Sequence, residues 1–183
     1  MSRSRIWSRR IAVASMLAAG GVLLGGAAPA PAQLPPAGCG SAESRQFDFW
    51  VGRWQVSPTG YPKMIVAHSL IEKLYQGCAV RENWSPSNGR DGGSLSSFVA
   101  ADPGWRQTWV GSSGVRVDFK GGWNGRAMVL TGVWPQPGHP NQLTRMTYTP
   151  AADGSVRQAG ETSNDGGATW TASFDFTYRR AAG

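Results

Sequence analysis

Histidine is scarce in this chain: of 183 residues only His68 and His139 carry an imidazole. No cluster of Cys, His, Asp or Glu shows metal-ligand spacing. No metal and no cofactor is therefore expected, haem included. A nucleophile elbow, a phosphate-cradling glycine loop and a Ser/His/Asp order are also missing, so no catalytic residue is assigned. Charge is thin, at 16% of residues. No dense Lys/Arg cluster follows residue 32, which removes the electrostatic footprint of a nucleic-acid binder. Repeats and heptads are absent, and almost no window beyond Arg53 keeps a 3.6-residue apolar period, which argues against helices.

The basic residues that are present fall unevenly. Arg3, Arg5, Arg9 and Arg10 precede an apolar, small-residue stretch from Ile11 to Ala28, which ends in an Ala/Pro run with Ala30-Pro31-Ala32. That is the layout of an export signal, and residues 1–32 are read as one, with cleavage near Ala32; a permanent membrane anchor is the competing reading. The formal charge of +7 shrinks accordingly, because four of the eighteen Lys and Arg and none of the eleven Asp and Glu lie in the signal, leaving about +3. Residues 33–44 read as a flexible linker or arm, and 45–183 as one domain. A periplasmic or secreted location follows, with no stable membrane span once the signal is removed. Only two cysteines occur, Cys39 and Cys78. In an oxidising compartment they are expected to pair, with lipidation at Cys39 as the rival.

From Arg53 onward short alternating runs are separated by turn chemistry: Pro58-Thr59-Gly60, Ser87-Asn88-Gly89, Asp102-Pro103-Gly104, Ser112-Ser113-Gly114, Asn124-Gly125, Ala152-Asp153-Gly154 and Asn164-Asp165-Gly166-Gly167. Trp105, Gln107 and Trp109 share one face of a strand. Val115, Val117 and Phe119 oppose Arg116, Asp118 and Lys120 in the next, and Trp170, Ala172, Phe174, Phe176 and Tyr178 line one face of the last. The fold class is all-β, with eight to ten antiparallel strands closing into an up-and-down barrel; a two-sheet sandwich is the alternative. Arg45 to Gly52 lacks alternation and is expected to form a helical turn or plug.

The block Phe47-Asp48-Phe49-Trp50-Val51-Gly52-Arg53-Trp54, the strand Gly77-Cys78-Ala79-Val80-Arg81-Glu82-Asn83-Trp84, the run Trp105 to Trp109, and the closing Ser163-Asn164-Asp165-Gly166-Gly167-Ala168-Thr169-Trp170 cover much of the chain. Together they resemble the bacterial lipocalin-like (calycin-type) secreted proteins that open with F-D-F-W-x-G-x-W. The resemblance implies a calycin-type barrel, whose members typically hold a small apolar ligand, and implies little about reaction chemistry. Gly52-Arg53-Trp54 also resembles the lipocalin G-x-W signature, with Arg179 or Arg180 as the cation over Trp54. Ser163 to Trp170 resembles an Asp-box and is read as a structural hairpin.

Polar residues set among large apolar ones mark the candidate interior. Glu82, Trp84, Gln107, Trp109, Arg145 and Gln158 are expected to converge on one cavity and to contact a small apolar or amphipathic molecule, with no covalent chemistry. A filled core in which Glu82 pairs with Arg145 is the bland alternative. His68 is expected as a half-buried strand residue and His139 as a loop residue. The rival functions are an enzyme, a hydrolase or isomerase, using Glu82 as acid or base, and a structural or partner-binding envelope protein. Nothing in the sequence sets an oligomeric state.

Overall fold

The computed structural model describes residues 39–181; the expected export signal and the start of the arm lie outside them. Ten strands follow one another: β1 (Gly52–Pro58), β2 (Ala67–Leu74), β3 (Ala79–Pro86), β4 (Gly92–Val99), β5 (Gly104–Gly111), β6 (Arg116–Trp123), β7 (Met128–Val133), β8 (Leu143–Pro150), β9 (Val156–Ser163) and β10 (Thr171–Arg180). Each pairs antiparallel with the next, and β10 returns to β1 with Arg180 opposite Trp54 and Tyr178 opposite Val56. The sheet is thus a closed up-and-down barrel, at the upper end of the expected strand number, and not a sandwich. Closure leaves no strand edge unpaired.

Local chemistry sets the turns. Between β6 and β7 the Asn124 side chain accepts the Arg126 and Ala127 N–H groups at 3.0 and 2.8 Å, and Gly125 takes φ 91°. One turn has no such signal. Between β2 and β3, Tyr75 and Gln76 both adopt positive φ, 53° and 55°, without being glycine, an arrangement that costs about 1–2 kcal/mol per residue. Cys39 anchors it, through a disulfide to Cys78 and by donating its N–H to the Gln76 carbonyl at 3.3 Å. The last residues of the arm are therefore laid against the barrel wall.

Alternation carries the facing of most strands. In β6, Val117 and Phe119 are buried while Arg116, Asp118 and Lys120 are exposed. In β2, Ala67, Ser69 and Ile71 point inward. That places His68 on the solvent face, exposed rather than half-buried. β10 departs from the expected single face. The register shifts between Ala172, opposite Glu161, and Phe174, opposite Gly160, and a one-residue bulge turns the following side chains to the other surface. Phe174, Phe176 and Tyr178 face the interior, whereas Ala172 is exposed and Trp170 lies outside, beneath the Arg145 guanidinium 4.1 Å from its ring. The bulge is accommodated because Gly160 lacks a side chain; a Cβ there would overlap the Phe174 ring.

Two 3-10 turns, Glu43–Arg45 and Asp48–Trp50, form the expected plug at one end of the barrel. Phe47 and Trp50 are fully buried. Their rings stack at 4.9 Å, and Phe47 meets Trp105 at 5.6 Å and Tyr148 at 5.1 Å. Trp54 donates its indole N–H to the Trp50 carbonyl at 2.8 Å. Arg180, not Arg179, covers Trp54, 4.0 Å from the ring, and donates to the Val51 carbonyl at 2.7 Å. Glycine suits this spot because φ is 149°, and a Cβ would also push the guanidinium off the indole. At the other end the hairpin from Ser163 to Trp170 is held mainly by its own side chains, with Gln142 donating to Asn164 Oδ1 at 3.0 Å. Asp165 accepts the Thr169 hydroxyl at 2.5 Å and the Thr169 N–H at 2.9 Å, bonds that hold its carboxyl well below the usual carboxylate range.

Candidate functional site

At the end of the barrel away from the plug a cavity of about 170 Å³ opens between the strands. Five of the six residues expected to converge do so: Glu82 and Trp84 from β3, Gln107 and Trp109 from β5, and Gln158 from β9 all line it. Period-two placement brings them together, since alternate residues of every strand in a closed barrel face one interior. On β4 the inward positions opposite Glu82 and Gln107 are the small Ser94 and Ser96, which hydrogen-bond to those two side chains.

Arg145 is the exception. On β8 the buried residues are Thr144, Met146 and Tyr148, so Arg145 has the opposite parity and stands on the outer wall. There its guanidinium bonds Glu161, directly opposite on β9, at 2.8–2.9 Å and lies over Trp170. Water, a carboxylate and an indole face together stabilise the cation better than an apolar interior can. The alternative pairing of Glu82 with Arg145 fails for the same reason.

Six further residues complete the lining: Trp134, Met146, Tyr148, Phe174, Phe176 and Tyr178. Met146 and Tyr148 were signalled by the aromatic and thioether parity of β8, had the charged residue been assigned outward. Trp134 follows the end of β7 and carries no strand alternation. The cavity is layered. Trp84, Trp109, Trp134, Phe174 and Phe176 are half-buried and ring the mouth. Below them Tyr178 donates to Gln158 Oε1 at 2.6 Å, Gln158 reaches Met146 Sδ at 3.5 Å, and Gln107 donates to Ser96 Oγ at 3.0 Å. Tyr148 and Tyr178 form the floor, resting on Trp50 of the plug at 4.8 and 6.0 Å.

Glu82 is the one acid among these residues, 5% exposed, with no Lys, Arg or His in the lining. Ser69 and Ser94 donate to its two oxygens at 3.1 and 3.3 Å. Burial pushes its carboxyl up to about 7, against the pull of Ser69, Ser94 and the Tyr178 hydroxyl. Burial, and next the charge of Glu82, raises both tyrosines, so their hydroxyls stay protonated. Among the described residues no group of three or more His, Cys, Asp or Glu could hold a metal ion.

The raised carboxyl makes stability pH-dependent with a definite sign. Between its ordinary 4.5 and about 7 the folded chain keeps a proton that the unfolded chain releases, so stability falls as pH rises through that window. The shift corresponds to about 3 kcal/mol. Urea unfolding at pH 5 and pH 8 should show Glu82→Gln gaining on the wild type as pH increases. Equal pH slopes for the two proteins would refute this account.

No protein-family model matches this chain, and neither does any curated protein.

Proposed function

We propose that this protein is exported to the periplasm or beyond and binds a small apolar or amphipathic molecule in the barrel mouth, without covalent chemistry. The observation that carries the reading is the ring of half-buried aromatics over a polar layer in one cavity, the makeup of a small-molecule pocket. Its volume of about 170 Å³ compares with roughly 150 Å³ for a cavity that admits benzene, so the fitting body is one or two rings in size. The Cys39–Cys78 disulfide is compatible with an oxidising, extracytoplasmic location.

Tryptophan fluorescence should shift or quench on titration with a ligand of this kind. Trp109→Ala should weaken binding by about 2 kcal/mol or more if the indole is a hot spot, while Trp170→Phe, outside the barrel, should leave affinity unchanged. A native mass spectrum of periplasmic protein without an adduct, together with a flat titration for monocyclic and bicyclic aromatics, would overturn the proposal. The enzymatic reading draws on one observation, a buried carboxyl that titrates near neutrality. It requires turnover that disappears in Glu82→Gln, whereas a binder yields none in either form.

A further inference from the structure

We propose that the ligand carries a protonated amine or other organic ammonium head, seated on Glu82 within the aromatic ring of the mouth. This rests on the ligand-binding reading above. Charge is the first argument. Every lining residue other than Glu82 is neutral and none is basic; Arg145 is committed to Glu161 and Trp170 on the outer wall, and Arg90, which stands beside Trp84 and Phe176 outside the lining, is exposed to water. An anionic head inside the cavity would meet a carboxyl and the negative faces of indoles, with no basic side chain in the lining to compensate its desolvation.

A cation meets the reverse. Trp84, Phe176 and Tyr178 cluster with ring centroids 6.1 and 6.4 Å from the Trp84 ring, and Trp109 and Trp134 add two more indoles to the lining. Ring faces attract ammonium groups, most strongly when these are desolvated. The carboxyl itself is under-used. Two serine hydroxyls occupy one site on each oxygen and the Tyr178 hydroxyl lies against the same carboxyl, which still leaves at least one of the about four lone-pair sites of a carboxylate for an N–H donor of a ligand. The size of the cavity then suits a single aromatic ring on a short alkylamine.

Ionisation of Glu82 is what an incoming cation would drive. The other titratable groups that face it are the hydroxyls of Tyr148 on β8 and Tyr178 on β10. Below neutral pH, therefore, amine binding should expel a proton from the carboxyl, and a neutral ligand should not.

The test compares phenethylamine, 2-phenylethanol and phenylacetate, three probes of one shape and different charge, by fluorescence and calorimetry on the signal-free chain. The amine should bind at least about tenfold tighter than either companion, the strength of one desolvated cation contact. At pH 6 its heat alone should vary with the ionisation enthalpy of the buffer. Glu82→Gln should bring the amine down to the alcohol's affinity while leaving the alcohol in place, which also shows that the variant is folded. Arg145→Met should alter none of the three. Equal affinities for amine and alcohol, or a preference for phenylacetate, overturn the ammonium assignment and leave the pocket standing. Failure of all three to bind overturns both.

Discussion

Trp50→Ala is expected to destabilise the barrel by about 3–5 kcal/mol, the cost of emptying a buried aromatic site that cannot collapse. Trp50 is fully enclosed. It stacks on Phe47 at 4.9 Å and supports Tyr148 and Tyr178 at 4.8 and 6.0 Å, so its removal strips contacts from the plug and from the cavity floor together. The expected effect has a second part. Without support the two floor tyrosines gain freedom to tilt, and aromatic-ligand affinity should fall alongside stability. Trp50→Phe separates the causes. The indole N–H of Trp50 is buried without an acceptor among the described residues, and a phenyl ring keeps most of the packing while discarding that donor. Phe should therefore cost much less than Ala. Urea midpoints of the three proteins check this, and equal losses for Phe and Ala would show that ring packing is not what Trp50 contributes.

Loss of the Cys39–Cys78 bond is expected to cost about 4 kcal/mol, from chain entropy released by opening a loop of sequence separation 39. For a domain of this size that lowers the melting temperature by on the order of 10 °C. The location of the bridge adds to the effect. It holds the arm against the Tyr75–Gly77 turn, whose two left-handed non-glycine residues have, among the described residues, otherwise only the Cys39 N–H and the turn's own hydrogen bonds to keep them in place. Thermal unfolding of Cys39→Ser with Cys78→Ser, compared with the oxidised parent, gives the magnitude. Thiol titration of the unreduced, unfolded parent should find almost none. An unchanged melting temperature would mean that the arm contributes nothing to the barrel.

The barrel was legible because its punctuation is chemical: Asn124-Gly125 and its counterparts demand turns whatever surrounds them. The cavity was legible on β3, β5 and β9, where large or polar residues occupy one parity and the other is plainly solvent-facing. β8 defeated the same logic. Leu143, Arg145 and Thr147 on one face and Thr144, Met146 and Tyr148 on the other are both amphipathic, and only the partner strand, with Glu161 opposite Arg145, decides between them. On β10 the alternation runs unbroken from Trp170 to Tyr178, while the backbone inserts its bulge midway. A period of two in sequence does not record a residue that drops out of the ladder. The turn at Tyr75 and Gln76 was illegible for another reason, since its geometry is imposed by a disulfide partner far along the chain.

The latch between Arg180 and the Val51 carbonyl joins groups 129 residues apart. Every other neighbouring pair of strands can form as a local hairpin, but this seam cannot close until nearly the whole domain has been delivered. The first strand must therefore wait, its outer edge unpaired and able to recruit any extended segment, for the last. Chain order thus sets a schedule: the fold is sealed by its last strand, and a polypeptide that stops before β10 (Thr171–Arg180) is left as an open sheet with two adhesive edges, a different kind of object from a slightly smaller barrel.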